Sequence, residues 1–298
     1  MPPSYGTQAY WDERFTKENH FEWLLPPAAL TAPVRDALDG CAPGSPRILH
    51  IGCGSSDLSF HLRGLVASAA QVVNVDYSEV AIRKCVEQDK ARRGGCDQDP
   101  EMVWKTADLL SPASVAALAE PQYTGGHAGP GFDVIVDKST SDCIACADDV
   151  KVDLPYRFRA PSADPVSRSE PAEPARSSGH AHPLHVISVN LAAVAKPATR
   201  WVCLSYSDDR FPFLGGGRGN SKSSNPAGGV DGNLVRGGFP DPRALWRVEQ
   251  KREIVVGDEE KPRGGDGGGE ARPYVHRPPT ISLSRPQGLN VSFVDAVL

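Results

Sequence analysis

Two glycines and two aspartates in the first half of the chain have the types and spacing of a nucleotide site. Gly52 and Gly54 lie within RILHIGCGSSDLS (residues 47–59), where small residues let a backbone approach a ligand before a helix begins. Asp76 follows Gly54 by 22 residues (76 minus 54), about the spacing at which a carboxylate meets both hydroxyls of a ribose. Asp108 ends the next strand-like segment. The competing interpretation is a tight strand-to-helix turn followed by a solvated aspartate, with no ligand.

The turn lacks the third glycine of the dinucleotide fingerprint, which lets the helix pack closely against the strand. A nicotinamide or flavin dinucleotide is therefore disfavoured. S-adenosylmethionine contains the ribose but no pyrophosphate, so a pair of glycines followed by an acid at the end of the second strand suits it better.

Strand-like and helix-like segments alternate from residue 47 to residue 149, in the order of a parallel sheet with helices on both faces. The predicted strands are RILHI, QVVNVD, MVWKTAD and FDVIVD, and the last three end in Asp76, Asp108 and Asp137. Ser78 is a predicted N-cap for the helix after the second strand. Because ligands of open α/β sheets bind at the carboxyl ends of strands, these acids are predicted to share one edge.

The second half of the chain interrupts this pattern. LHVISVNLAAVAK predicts a further helix, TRWVCLSYS a fifth strand, ALWRVEQKREIVV a sixth and YVHRPPTISLSR a seventh. Three segments crowded with Pro, Gly, Ser and charge, 154–183, 214–240 and 257–273, are predicted to be disordered insertions because they have little apolar surface to bury. We therefore expect one α/β domain over residues 1–298, with a three-layer, Rossmann-like sheet that carries these insertions.

Composition narrows the class of protein further. The chain has 298 residues, 40% of them hydrophobic, with a formal net charge of −5 and a pI near 5.9. This acidic balance disfavours nucleic acid and anionic membranes as partners. The N-terminal stretch MPPSYGTQAYWDERF has no secretory pattern, no segment reaches about 18 apolar residues, and the cysteines are scattered. We expect a soluble, cytoplasmic protein of undetermined oligomeric state.

Five segments together resemble a known family. YGTQAYWDERF, FEWLL, ILHIGCGSSDLS, VDYSEVAI and DVIVDKSTSD have the order and spacing found in class I S-adenosylmethionine-dependent methyltransferases. The resemblance is to the methyltransferase-like group that includes enzymes methylating elongation factor 1-alpha on lysine or at its N-terminus. It is close over residues 5–142 and looser beyond. It implies a seven-stranded class I methyltransferase sheet, S-adenosyl-L-methionine as the cofactor, and a protein substrate such as a translation elongation factor.

The resemblance also implies which residues contact the cofactor. In that family the aromatic N-terminal segment, here within residues 1–46, folds over the cofactor. The implied cofactor-binding residues are Trp11, Arg14, Phe15, Trp23, Gly52, Cys53, Gly54, Asp76, Tyr77, Asp108, Leu109 and Lys138. Arg14 is the implied partner of the methionine carboxylate, Asp76 that of the ribose. For the three aromatic residues, the alternative is an amphipathic helix that packs on the domain.

Catalytic residues are predicted in DKSTSD, where the family tends to read DKGTLD. Methyl transfer needs a neutral nucleophile, and deprotonating a lysine of pKa near 10.4 at pH 7.4 costs about 4 kcal/mol. Asp137 and Asp142 are the nearest carboxylates along the chain, so one of them is predicted to orient or deprotonate the amine. The alternative for Asp142 is a loop cap. Ser139 replaces the family's glycine, so a positive φ there would strain the loop.

Other functions stay open at this level. The substituted DKSTSD loop is compatible with a non-catalytic, S-adenosylmethionine-binding scaffold, and a small-molecule methyltransferase is a further alternative. Cys143 and Cys146 have redox-motif spacing, but no second cysteine pair completes a zinc site. We therefore predict neither a metal site nor a redox role for them.

Overall fold

The structure is a computed structural model that describes residues 3–41, 44–94, 101–119, 131–157, 177–207, 209–214, 229–254 and 289–296. Its strands are β1 (Ile48–Ile51), β2 (Val72–Asp76), β3 (Val103–Thr106), β4 (Phe132–Lys138), β5 (Val150–Leu154), β6 (Ser177–Ala181), β7 (Ala195–Ser205), β8 (Trp246–Ile254) and β9 (Leu289–Ala296). Its α-helices are α1 (Gln8–Lys17), α2 (Thr31–Asp39), α3 (Leu58–Arg63), α4 (Glu79–Arg93), α5 (Pro112–Ala117), α6 (Thr140–Ile144), α7 (Pro183–Ala192), α8 (Gly232–Arg236) and α9 (Pro242–Leu245). In this part of the chain, no helix is both long and apolar enough to cross a membrane.

The main sheet has the strand order β3-β2-β1-β4-β7-β9-β8. The strands from β3 to β7 in this row are parallel, whereas β9 is antiparallel to both neighbours. From β1 the chain continues to β2 and β3 on one side, and β4 lies on the other side. This reversal between β1 and β4 is a switch point of the kind at which open α/β sheets bind ligands. The predicted α/β fold with a parallel central sheet is confirmed.

Two apolar cores cover the two faces of the sheet, because successive side chains of a strand point to opposite faces. Ile135 lies in one core with residues of α5 and α7, while its neighbours Val134 and Val136 lie in the other with residues of α2 and α3. Such burial on both faces explains the near-continuous apolar runs of the parallel strands. Because both faces of the sheet are covered, a ligand-binding site is expected at the carboxyl edge of the strands.

The helix after β2 shows how local sequence sets the ends of an element. Ser78 caps α4 by accepting a hydrogen bond from the Ala81 N–H, as predicted, and Gly94 ends the helix in the left-handed conformation with φ of 59°. The helix after β1 is short, since α3 ends at Arg63 with Gly64 as its C-cap. The fixed start of α4 places Asp76 and Tyr77 at the edge of the sheet.

The predicted insertion at 154–183 is wrong at its ends. Residue Leu154 belongs to β5, and residues 177–181 form β6, which pairs with β5 in a separate two-stranded antiparallel sheet. These strands are ordered because apolar side chains of β5, β6, α7 and α8 share a small core around Phe239. The predicted insertion at 214–240 is likewise wrong in part, since α8 lies within it and buries Leu234 in this core.

Other predictions for the second half fall outside the described residues. These are the middle of the first insertion, the segment 215–228 of the second, the whole of 257–273, and the predicted strand YVHRPPTISLSR. The strand that joins β7 to β8 in the sheet is instead β9, whose sequence LNVSFVDA was not predicted as a strand.

Candidate functional site

A cavity lies at the carboxyl ends of β1, β2, β3 and β4, beside the switch point of the sheet. Its volume, counted with the open space at its mouth, is about 950 Å³. The predicted cofactor-binding residues on its wall are Trp11, Phe15, Trp23, Gly52, Cys53, Gly54, Asp76, Tyr77, Asp108, Leu109 and Lys138. The structure therefore brings together every predicted cofactor residue except Arg14.

The glycine turn after β1 is shaped by Thr140, the first residue of α6. Gly52 has a φ of 58°, and a Cβ atom at this position would lie 2.1 Å from Thr140 Oγ1. Thr140 cannot move freely, since that oxygen donates a hydrogen bond to the Ile51 carbonyl at 2.9 Å. Gly54 also has a positive φ, of 51°, and faces the Phe15 ring. Both glycines are thus required by backbone conformation, and Gly52 by close approach as well.

Asp76 holds the turn and faces the cavity. One carboxylate oxygen accepts a hydrogen bond from the Gly54 N–H and the other accepts one from the Ser78 N–H, each at 2.9 Å. Burial raises the pKa of Asp76 to about 6, against the opposing effect of these hydrogen bonds. Each oxygen has a further lone pair, so the carboxylate can accept hydrogen bonds from two adjacent hydroxyls.

The chain before β1 forms an aromatic roof over the cavity, made of Tyr5, Trp11, Phe15, Phe21 and Trp23. Trp11 and Phe15 are buried, and their rings stack with centroids 5.6 Å apart. The Trp11 indole donates a hydrogen bond to the Tyr5 carbonyl at 2.8 Å. The three predicted aromatic residues pack on the domain and also line the cavity. Packing on the domain and contact with a cofactor are therefore compatible interpretations of Trp11, Phe15 and Trp23.

Glu22 fastens the aromatic roof to the sheet. One of its carboxylate oxygens accepts hydrogen bonds from the Lys138 ammonium and from Ser56 Oγ, and the other accepts one from the Asp57 N–H at 2.7 Å. The Lys138 side chain is only 3% exposed, and burial lowers its pKa. Residues from the roof, from the loop after β1 and from β4 thus meet in one charged cluster.

Arg14 does not line the cavity. Its guanidinium pairs with Glu18 at 3.0 Å and lies 4.1 Å from the centroid of the Phe21 ring. It also lies within 6 Å of the Trp11 and Trp23 rings, a cation–π arrangement. The geometry therefore has Arg14 supporting the roof from outside, and the implied contact with a methionine carboxylate is not formed by this arrangement.

Asp137 and Asp142 are buried behind the cavity wall. Asp137 accepts hydrogen bonds from the Thr140 N–H and from the backbone and hydroxyl of Ser141. Asp142 pairs with Arg210 at 2.6 Å and accepts a hydrogen bond from Ser205 Oγ. Neither carboxylate lines the cavity. In this arrangement Asp137 holds the start of α6, whereas Asp142 joins α6 to the end of β7 and to Arg210, so a catalytic role for either carboxylate stays a prediction.

Two serines that line the cavity have hydroxyls enclosed by protein, without a hydrogen-bond partner among the described residues. They are Ser55, which is 4% exposed, and Ser139, which is 3% exposed. Ser139 has φ of 66°, so the predicted strain at this position is present. Buried hydroxyls are normally paired, so these two are exceptions in this part of the chain.

His50 closes the floor of the cavity as a neutral side chain. Its Nδ1 lies 3.0 Å from Ser59 Oγ and 3.2 Å from Asn74 Oδ1. Burial lowers its pKa to about 3. His50 is therefore uncharged at neutral pH.

Several cavity residues were not predicted as site residues: Tyr5, Gly6, Phe21, His50, Ser55, Ser56, Ala107, Leu110, Ser139, Thr140, Cys143, Ile144 and Ala147. Most of them adjoin predicted positions at strand ends. Cys143 lies on α6 one helical turn after Ser139, a spacing that would have found it, whereas Ala147 lies beyond the end of α6. The two aromatic residues in this set are Tyr5 and Phe21. They lie in YGTQAYWDERF and FEWLL, two of the segments that carry the family resemblance.

Comparison with known proteins gives relatives but no match to a protein-family model. The chain is 37% identical over 148 residues to the methyltransferase srdJ of Neurospora crassa, covering 49% of this chain and 57% of that protein. It is 29% identical over 143 residues to the EEF1A lysine methyltransferase 4 of Bos taurus, covering 47% and 46% of the two chains. The chain thus spans about half the length of these relatives.

A solved structure of a SAM-dependent methyltransferase from Anabaena variabilis superposes loosely, with a TM-score of 0.49 at 10% identity, over 99% of this chain and 95% of that chain. The sequence relatives confirm the predicted resemblance to class I methyltransferases. The eEF1A lysine methyltransferases are among those relatives, as predicted. The prediction of S-adenosyl-L-methionine as the cofactor is confirmed with the class.

Proposed function

We propose that this chain is a methyltransferase that transfers a methyl group from S-adenosylmethionine to an amine of a protein, with lysine as the acceptor. The observation that supports it is the cavity itself. It gathers the glycine turn, Asp76, Asp108 and Lys138 under one aromatic roof, at the switch point of the sheet. A strand-to-helix turn without a ligand would not require such a cavity.

The residues of the cavity divide the work of holding the cofactor. Asp76 accepts hydrogen bonds from the ribose hydroxyls, and Asp108 with Leu109 contacts the adenine. Lys138, Ser56 and Ser55 lie in the polar part of the wall that suits the methionine chain. When bound, S-adenosylmethionine supplies an electrophilic methyl group, which the acceptor's lone pair takes while the carbon–sulfur electron pair stays on sulfur.

The chain's contribution to transfer is positioning and exclusion of water. The aromatic roof covers the polar wall, and an apolar surrounding lowers the pKa of an entering amine toward the neutral form that reacts. The proton lost by the lysine ammonium passes to solvent before the amine is enclosed. A buried carboxylate base is not needed at the wall for this sequence of events.

A protein lysine is favoured as the acceptor by two considerations. Proteins named as eEF1A lysine methyltransferases are among the relatives, at 28% identity over 142 residues and 29% over 143 residues. Asp148 and Asp149 are exposed and directly follow Ala147 of the cavity wall, where they would attract a cationic side chain. We propose a cytoplasmic elongation factor as the protein substrate.

A small-molecule acceptor is the second candidate. The relative with 37% identity is named only as a methyltransferase, and the roof leaves an enclosed cavity that a small amine could also enter. The non-catalytic scaffold is the third. The three functions predict different products: a methylated protein, a methylated small molecule, or no methylated product.

The first experiment is calorimetric titration of the purified chain with S-adenosylmethionine, with NAD as the control ligand. We expect binding of the former alone. The chain is then incubated with S-adenosylmethionine carrying a labelled methyl group and either a cytosolic protein fraction or a small-molecule extract. Label on protein lysine, located by peptide mass, supports the proposal. Label only in the extract supports the second candidate, and binding without transfer to either fraction supports the scaffold.

A further inference from the structure

We propose that Asn190 and Tyr156 are positioning residues for the base of the cofactor, acting through the backbone of the loop after β3. Neither side chain lines the cavity. They hold the peptide unit between Leu109 and Leu110, which in turn orients the Asp108 carboxylate. The inference rests on the proposed function, which puts adenine against Asp108. It deepens that function by naming the residues that set the specificity for the base.

The first observation is a fully buried amide on an apolar helix. Asn190 lies in α7, whose residues are all buried, and is itself 0% exposed. An unpaired amide there would be costly, because burial removes its hydrogen bonds to water. Its Nδ2 donates a hydrogen bond to the Leu109 carbonyl at 2.9 Å, and its Oδ1 accepts one from the Tyr156 hydroxyl at 2.7 Å. Asn190 therefore joins α7 to the cavity wall, where Leu109 lies.

Tyr156 fixes which end of this amide faces the loop. A carbonyl oxygen only accepts hydrogen bonds, so the Asn190 nitrogen must face Leu109 and the amide oxygen must face the phenol, which donates. Burial raises the pKa of Tyr156 to about 12, so the hydroxyl keeps its proton at neutral pH. The ring is held in turn by an edge-on contact with Phe239, with 5.0 Å between the centroids.

The peptide unit that Asn190 holds also holds Asp108. It consists of the Leu109 carbonyl and the Leu110 N–H, and this N–H donates a hydrogen bond to Asp108 Oδ1 at 2.9 Å. Because a peptide unit is planar, a hydrogen bond on its carbonyl restricts the direction of its N–H. Asp108 lines the cavity and is exposed, so its carboxylate can rotate unless the loop restrains it. The hydrogen bonds thus lead from Tyr156 to the orientation of the Asp108 carboxylate.

The orientation of Asp108 matters because an ionised carboxylate only accepts hydrogen bonds. The 6-amino group of adenine donates them. A hydrogen bond weakens steeply when its angle departs from linear. A well-oriented Asp108 therefore favours a base with an amino group over a base without one, and a poorly oriented Asp108 discriminates less.

The test compares two cofactor analogues that differ only at the base. They are S-adenosylhomocysteine and the same compound with an unsubstituted purine, which lacks the 6-amino group. Calorimetry gives the ratio of their Kd values, which we call the base preference. We expect the wild type to prefer adenine by roughly tenfold or more, and Asp108→Ala to lose this preference. Asn190→Leu should reduce it by roughly fivefold or more, and Tyr156→Phe by roughly threefold or more.

Trp246→Phe is the matched control, because it removes another buried hydrogen bond to α7. The Trp246 indole donates to the Ser188 carbonyl at 2.7 Å, and neither residue lines the cavity. This variant should lower the Tm, as Asn190→Leu does, but keep the base preference within about twofold of the wild type. Tyr156→Phe keeps the ring and removes only the hydroxyl, so it tests the inference even if Asn190→Leu does not fold.

An unchanged base preference in Asn190→Leu and Tyr156→Phe, with the preference lost in Asp108→Ala, would overturn the inference and leave the proposed function intact. A loss in Trp246→Phe as large as that in Asn190→Leu would overturn it too, since the effect would then be general destabilisation. If Asp108→Ala kept the wild-type preference, the contact between Asp108 and adenine would be wrong, and the inference would fall with it. A wild-type chain that binds neither analogue would refute the proposed function itself.

Discussion

At the scale of single residues, Asp76 has both a structural and a ligand-binding role. Its two oxygens hold the backbone of Gly54 and Ser78 while the carboxylate remains on the cavity wall. Burial without a cationic partner makes its charge unfavourable, as the raised pKa of about 6 indicates. A ribose would supply the two hydroxyl donors that compensate for this burial.

Replacing Asp76 by asparagine removes the charge but keeps the size of the side chain. We expect Asp76→Asn to weaken S-adenosylmethionine binding by roughly 10- to 100-fold, because two charge-assisted hydrogen bonds are lost or weakened. Calorimetric titration measures the change. Asp36→Asn, on the exposed face of α2, is the matched control and should bind normally. Unchanged affinity in Asp76→Asn would remove the ribose contact from the site.

Substitutions at Gly52 and Gly94 distinguish two energetic costs of adding a side chain, the left-handed backbone conformation and a steric clash. Both have nearly the same backbone conformation, with φ of 58° and 59°, but only Gly52 has Thr140 against it. Gly94→Ala should lower the free energy of unfolding by about 1–2 kcal/mol, the cost of the left-handed conformation. Gly52→Ala should lose about 1–3 kcal/mol more through the clash. Denaturant titration of both variants checks this, and equal losses would contradict the crowding at Gly52.

At the scale of elements, the site is a contact between the segment before β1 and the edge of the sheet. Lys84 of α4 donates hydrogen bonds to carbonyl oxygens at the end of α1, and Gln8 donates one to the Tyr77 carbonyl. With the Glu22–Lys138 pair, these contacts hold the aromatic roof over the cavity at several separate points. The roof is thus attached by polar contacts at its margins and closed by aromatic packing at its centre.

The Glu22–Lys138 pair should control how firmly the aromatic roof is held. We expect Glu22→Gln to increase the rate of limited proteolysis within residues 3–25 several-fold, and to weaken S-adenosylmethionine binding by roughly tenfold, because a nearly buried ammonium loses its carboxylate partner. Glu13→Gln is the matched control, since Glu13 lies in the same segment but is 68% exposed and pairs with Lys17. Identical digestion of the two variants would show that the pair does not fasten the roof.

At the scale of the whole molecule, the buried Asp76 makes the free energy of unfolding depend on pH. Asp76 has a folded-state pKa of about 6 against an ordinary value of 3.8. The folded protein therefore holds a proton that the unfolded chain releases. This effect stabilises the fold below about pH 4 and is lost as the pH rises through 6.

The consequence is measurable as a difference between two proteins. Between pH 4 and pH 7, the free energy of unfolding of the wild type should fall relative to that of Asp76→Asn by up to about 3 kcal/mol, about two pK units at 1.36 kcal/mol each. Denaturant titrations across this range give the difference at each pH. A constant difference, or one that favours the wild type as the pH rises, would contradict the raised pKa.

Much of the parallel half of the fold could be predicted because its rules are local. The runs of Val and Ile in β1, β2 and β4, the cap at Ser78 and the acids at strand ends all act over a few residues. Strand β9 was missed although Leu289, Val291 and Phe293 alternate with polar residues, which is a local strand signal. Strand β6 was missed for the opposite reason. β6 is polar in sequence, SSGHA, and is ordered by its pairing with β5, a contact that no local pattern encodes.

By itself, the sequence determined the resemblance to methyltransferases and nearly all of the residues predicted to line one cavity, since these depend on residue types at fixed positions along strand ends. Only the tertiary structure decided which way side chains face. It turned Arg14 toward the aromatic rings and placed Asp137 and Asp142 outside the cavity lining. The physical reason is that a carboxylate or hydroxyl binds whichever donor packing brings near, and packing joins residues far apart in the chain.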